Sequence, residues 1–218
     1  MLKVSNTVLP SSDQWLAVIR GARNPMNSWS RADSVKTYSL PLEESESDLL
    51  FGESDVALLK RLSRAGADHG KFMRQIPILV DITAPLYWWK EFDQYKVGTT
   101  TDSCSTMHKI TSKPFELEDF SLEDADAETV DRETVASLLV EICEEYRQGY
   151  LDTGDKKYWR ALIEVLPCAY NQTRTVSLNY AVLKNIYHAR KDHKLSEWHT
   201  LCDWILDLPL ADELILGE

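Results

Sequence analysis

Two stretches carry polar side chains densely enough to do chemistry. The first, GTTTDSCSTMH at residues 98–108, offers many hydroxyls, the Asp102 carboxylate and the Cys104 thiol. Such a run can line a polar pocket, because each hydroxyl both donates and accepts. The plainer reading is a capped turn whose hydroxyls satisfy their own backbone, and the run lacks a glycine-rich turn long enough to cradle phosphate. The second, LNYAVLKNIYHAR, puts Asn179, Leu183 and, less closely, Asn185 and Arg190 near one side of an α-helix. Two amides and a guanidinium on one side can hold a planar ring edge or an anion, and a merely solvated helix side is the alternative.

Other reactive residues point less firmly to a site. Cys104 and His108 stand four apart, the spacing of a nucleophile and its base if a helix begins there, although such a pair is usually incidental. His188 and His193 in HARKDHK fit a metal pair poorly and read as a solvated helix end. Cys104, Cys143, Cys168 and Cys202 are widely separated, with no CxxC pair and no zinc-like spacing, so reduced thiols are expected and no metal. Of Trp88 and Trp89, one should pack into the core while the other stacks on a ligand or meets a neighbouring subunit. Trp198 and Trp204 read as packing residues.

The elements that must position these groups follow from periodicity. SSDQWLAVIRGAR opens with capping residues and puts Trp15, Val18, Ile19 and Ala22 on one helical stripe. The next thirty residues, around Tyr38 and Leu40, read as a surface excursion with little regular structure. Ser54 is expected to cap a second helix, with Val56, Leu59 and Leu62 at helical spacing and Gly66 as its stop. QIPILVDIT is apolar and β-branched, the pattern of a buried strand of about six residues. A helix LYWWKEF follows, with Pro85 in its first turn. After an acidic, turn-like excursion from Phe115 to Asp131, the longest helix should present Val135, Leu138, Leu139, Ile142 and Tyr146 in line. Helices DKKYWRALIEV, about Thr175 to Arg190, and EWHTLCDWILDL complete the chain. The expected class is α+β: helix-rich with a small central sheet.

At 218 residues the chain is long enough to bury one core, and a single domain over 1–218 is expected. The net charge of −11 disfavours nucleic acid and anionic lipid as partners. The longest apolar runs fall far short of the roughly 20 residues a membrane span needs, and the start carries no basic end followed by an apolar segment. A soluble, cytoplasmic protein without a membrane partner is therefore expected.

The order of these pieces resembles the flavin-dependent thymidylate synthases (ThyX). In that family a strand leads into an A-P-aliphatic-aromatic helix, and the signature R-H-R-x-x-S-x-N-x-x-S-x-R follows. A late helix reads N-x-R with a further Asn and Arg before a Q-W-E-like stretch. Here Ala84-Pro85-Leu86-Tyr87 matches the lead, and the signature register falls on QYKVGTTTDSCST, residues 94–106. Leu166-Pro167 matches the family's L-P, and Asn179, Asn185 and Arg190 match the late helix without a gap. LAVIRGAR and LLKRLSRAG resemble the early helices, so the likeness covers most of the chain outside residues 24–53 and 111–130.

The departures fall on the groups that would do the chemistry. Gln94, Tyr95 and Lys96 stand where the family has a cationic cluster for flavin phosphates, and Thr106 replaces the last signature Arg. Ala181 and Ile163 replace two further Arg residues, with Arg160 one turn before the second. Each charge-assisted bond lost is worth roughly 1.5–3 kcal/mol, so several losses weaken the grip on a nucleoside monophosphate by orders of magnitude. What the resemblance implies is a homotetramer with a pocket between subunits and a degenerate active site. Lys96, Thr99, Thr101, Asn179 and Asn185 would lie against FAD. Asp102, Cys104, Thr106 and Arg190 would hold the substrate, with Arg190 also polarising the pyrimidine for hydride transfer. Any retained reaction would be reductive methylation of dUMP. The alternative is a non-catalytic protein that captures a nucleotide or other small ligand on the same fold.

Overall fold

The computed structural model describes residues 1–37, 48–123 and 131–217. The centre of the first excursion, including Tyr38 and Leu40, and the acidic stretch 124–130 lie outside the described residues. Four strands, β1 (Lys3–Val8), β4 (Pro77–Pro85), β5 (Thr100–Ser103) and β6 (Asn171–Asn179), hydrogen-bond in the order β1-β4-β6-β5. The sheet is antiparallel. A separate two-stranded ribbon pairs β2 (Val35–Thr37) with β3 (Asp48–Leu50), Val35 opposite Leu50. The excursion expected to lack regular structure thus contains paired strands, fixed by partners 11 to 15 residues away that periodicity does not see.

The chain forms two compact units: Met1–Ser5, Asp81–Gln94 and Thr101–Thr175 in the first, and Asn6–Val80, Tyr95–Thr100 and Val176–Glu218 in the second. In the first, α3 (Leu86–Phe92) buries both tryptophans, Trp88 at 0% and Trp89 at 1% exposure. The expectation that one would face outward is therefore wrong. A short helix with Phe92 stacked on Trp88 at 5.1 Å and Trp89 edge-on to Trp88 at 4.9 Å fills the interior from two directions. Pro85 is the N-cap and not a first-turn residue. Helix α4 (Arg132–Thr153) is capped by Asp131, whose carboxylate accepts from the Thr134 amide. It packs on α5 (Lys156–Val165) and buries Ala136 and Cys143, while Leu138 stays 53% exposed. The buried stripe is rotated from the expected one. At Gly149 an added Cβ would stand 2.8 Å from the Tyr158 ring, so close approach of the two helices selects the face.

In the second unit, α1 (Ser12–Arg23) starts in the expected run of capping residues, with a capping box of Ser11 and Gln14, and Trp15, Val18, Ile19 and Ala22 are buried. Helix α2 (Glu53–Arg64) is not capped by Ser54. The Asp33 carboxylate accepts from the Ser54 and Asp55 amides instead, from 21 and 22 residues upstream. Behind it, buried Asp55 accepts from Arg23 Nε at 2.6 Å and from the Asp33 and Ser34 amides. Strand β4, whose residues to Val80 belong to this unit and from Asp81 to the first, proved longer than expected and two-faced: Ile78, Val80, Ile82 and Ala84 are buried and Leu79 is 44% exposed. The helix expected from Thr175 begins at Tyr180, giving α6 (Tyr180–Arg190), because Val176 and Leu178 alternate with exposed neighbours and finish β6. α7 (Ser196–Leu206) and one π-helical turn, Asp212–Leu216, close the chain.

Candidate ligand site

The second unit brings the start of the hydroxyl-rich segment onto α6. Asn179 is not on the helix face but at its N-cap, where Oδ1 accepts from the Ala181 and Val182 amides at 3.1 and 3.2 Å. Its Nδ2 then donates to the Gly98 carbonyl at 3.4 Å. Gly98 has φ +81°, and a Cβ there would sit 3.0 Å from Asn179 Nδ2 and 3.2 Å from Val182 Cγ2. Only glycine lets the chain pass so close with that backbone. At the other end of the helix, Arg190 Nε donates to the Tyr95 hydroxyl at 2.9 Å. The guanidinium also lies 4.5 Å from the Trp198 ring centroid and 5.7 Å from that of Tyr95. Residues 95–98 therefore run antiparallel to α6, tied at both of its ends.

Within this arrangement Asn185 is exposed and Leu183 is fully buried, so the shared helix side expected from their spacing divides between solvent and core. Lys96 is exposed. The Thr99 hydroxyl is buried and has no hydrogen-bond partner among the described residues. An orphaned hydroxyl one residue after the Gly98 contact is the feature of this segment that asks for a ligand group.

Thr101, Asp102, Cys104 and Thr106 belong to the first unit. Thr101 and Asp102 lie in β5, at the sheet edge, so the expected loop is half strand. Cys104 is exposed; its amide donates to Thr173 O at 2.9 Å and its carbonyl accepts from Gln172 Nε2 at 2.7 Å. Ser105 Oγ accepts from the Met107 and His108 amides, the local turn chemistry that was the plainer reading of this run. Thr106 is half-buried.

Sequence reasoning missed the polar group around Arg174. Its Nη1 donates to Asp93 at 2.7 Å, its Nε to Gln172 Oε1 at 3.0 Å, and its guanidinium lies 4.2 Å over the Trp89 ring. Placing TRTVSL in a strand would have exposed it, as a cation in an alternating run needs a partner. The two histidines of HARKDHK are both engaged. His188 meets the Ile215 carbonyl at 2.9 Å, and His193 packs edge-on to Trp198 at 6.1 Å.

A flavin dinucleotide presents a planar polar edge and a pyrophosphate. Asn185 presents an exposed amide, a group that pairs with such an edge, and Thr99 a buried hydroxyl with no partner among the described residues. The pyrophosphate does not fit. Residues 94–96 supply only Lys96, and Arg190 is already committed to Tyr95 and Trp198.

No protein-family model matches the chain, and no curated protein does. Solved structures do. A flavin-dependent thymidylate synthase from Helicobacter pylori, crystallised with FAD and dUMP, superposes with a TM-score of 0.67 at 18% identity, over 99% of this chain and 97% of that one. A second structure of the H. pylori enzyme with FAD and dUMP gives 0.65 at 18% identity, over 98% and 97%. A UMP/dUMP methylase, PolB, from Streptomyces cacaoi with bound 5-Br dUMP gives 0.52 at 16% identity, over 86% and 76%. This chain has the α+β fold of the flavin-dependent thymidylate synthases, in divergent form.

Proposed function

We propose that the protein is a divergent, thymidylate synthase-like nucleotide-binding protein, with a pocket along α6 completed by a second copy in a cytoplasmic homotetramer. The carrying observation is that α6 holds residues 95–98 at both its ends, through Asn179 and Arg190, beside an unpartnered Thr99 hydroxyl. Asn185 and Thr99 would read the polar edge of the base, and Lys96 would meet a single phosphate. Asp102, Cys104 and Thr106 of a second copy would contribute as substrate-side groups and its Thr101 as a ring-side group, as the family likeness implies. The dUMP and FAD bound by the proteins of similar fold support the ligand class. The sparse cations favour binding without catalysis.

The catalytic reading, reductive methylation of dUMP with FAD, needs a tightly held dinucleotide, and the commitment of Arg190 weighs against it. Purification and thermal shift decide. The expected protein is colourless, gains no stability from FAD, and is stabilised by a pyrimidine mononucleotide in a manner lost in Asn185→Ala and in Thr99→Val. A yellow protein with a flavin band would favour the enzyme. A nucleotide shift unchanged in both variants would remove the site.

A further inference from the structure

Lys90 Nζ donates to Cys168 Sγ at 3.0 Å, a contact between a primary amine and a thiol 78 residues apart in the chain. Both side chains are exposed, and both residues lie in the first unit. Neither takes part in the pocket proposed along α6.

The backbone holds the two groups in register. At the first turn of α3, where no helical carbonyl serves them, the Leu86 and Tyr87 amides donate to the Tyr170 and Cys168 carbonyls, each at 3.0 Å. Side chains of an α-helix lean toward its N-terminus, so Lys90, three residues after Tyr87, reaches back over the turn to which Cys168 is bonded. Pro167, with its fixed φ, stiffens the chain immediately before the thiol. Cys104 supplies the contrast. It too is exposed, but it is engaged through its backbone amide and carbonyl, with no amine bonded to its sulfur among the described residues. A partly exposed thiol beside a cation is the setting in which cysteines react, and a sulfenic acid with a nitrogen in reach condenses with it.

We propose that Lys90 and Cys168 are a modification site, closing under peroxide into a reversible sulfenamide crosslink between α3 and the turn after α5. The Cys168 sulfur attacks one oxygen of hydrogen peroxide. The O–O bond breaks, the sulfur is oxidised by two electrons to a sulfenic acid, and the peroxide is reduced, its other oxygen leaving as water with the thiol proton. Lys90 Nζ, once its ammonium has given a proton to solvent, attacks the sulfur. An S–N bond forms, the S–O bond breaks, and hydroxide leaves with an amine proton as a second water. Two molecules of a small thiol reverse the link, returning the thiol and the amine and forming one disulfide.

The full chain treated with hydrogen peroxide at mildly alkaline pH, quenched with catalase and followed by mass spectrometry, tests it. The intact mass should fall by about 2 Da, the two hydrogens lost, and return with dithiothreitol. Trypsin should no longer cut after Lys90, so peptide 75–96 should appear joined to peptide 161–174. Cys104→Ser should leave the crosslink unchanged. Lys90→Arg, which keeps the charge but lacks the amine, should abolish it and raise dimedone labelling of Cys168 at least about tenfold, because the sulfenic acid then has no nitrogen to consume it. A mass loss that disappears in Cys104→Ser is a disulfide between Cys104 and Cys168 and overturns the proposal. So does cleavage after Lys90 that persists while Cys168 gathers oxygen, or dimedone labelling of Cys168 that is equal in wild type and Lys90→Arg.

Discussion

Arg190 Nε donates to the Tyr95 hydroxyl at 2.9 Å while its guanidinium lies 4.5 Å from the Trp198 ring. The late-helix cation is thereby turned onto its own chain by an aromatic that stands where the family signature carries a basic residue. Tyr95→Phe removes one hydrogen bond to a charged donor that is half-buried, so it should lower unfolding free energy by about 1 kcal/mol in urea titration. Arg190→Ala also loses the ring contacts and should cost more, by roughly another 0.5–1 kcal/mol. Equal effects of the two variants would show that the Trp198 contact contributes nothing.

Asn179 is both the cap of α6 and the tether of Gly98. Asn179→Ala should destabilise the protein by about 1 kcal/mol, the usual cost of a lost cap, and Asn179→Asp should restore the cap but not the donor to Gly98 O. Gly98→Ala forces a side chain into a left-handed backbone and against Asn179. It should cost about 1–2 kcal/mol and abolish the nucleotide-dependent thermal shift, which the Asn179→Asp variant keeps in part.

Asp55 is fully buried, and burial by itself pushes its carboxyl up. Hydrogen bonds from Ser34, Arg23 and Asp33 outweigh that and hold it below the usual range. A depressed carboxyl stabilises the fold above its unfolded value of about 3.9 and ceases to do so as pH falls through its lower, folded value. Wild type should therefore lose stability below about pH 4, and part of that acid slope should vanish in Asp55→Asn. At neutral pH the variant leaves Arg23 buried without its partner, a cost of about 3–5 kcal/mol in denaturant midpoints.

The four thiols divide by burial. Cys143 and Cys202 are buried, and burial, then the charge of Glu144 in one case and of Asp203 and Asp192 in the other, raises each to about 11. Cys104 and Cys168 are exposed. Ellman's reagent at pH 8 should titrate two thiols quickly and the other two only after denaturation, since the thiolate is the reacting species. Four fast thiols in the native protein would contradict the packing of α4 and α7.

What the sequence determined alone was whatever depends on neighbours a few residues apart. The capped start and amphipathic stripe of α1 and the Gly66 stop are local, so period and cap chemistry sufficed; at α4 they narrowed the start to Asp131 or Thr134, of which Asp131 is the cap. The order of elements was also legible, and with it the fold. Tertiary structure decided the rest. Thr175–Asn179 became strand because the sheet offered backbone partners that outcompete helix propensity. Asp33 displaced Ser54 as the cap of α2 because a carboxylate arrived from a distant loop. Most telling for function, spacing put Asn179 and, less closely, Asn185 and Arg190 near one side, whereas packing gave them three different tasks: a cap, an exposed amide and a clamp. A side chain's chemistry is fixed by its residue type, but its freedom to meet a ligand depends on which neighbours reach it first.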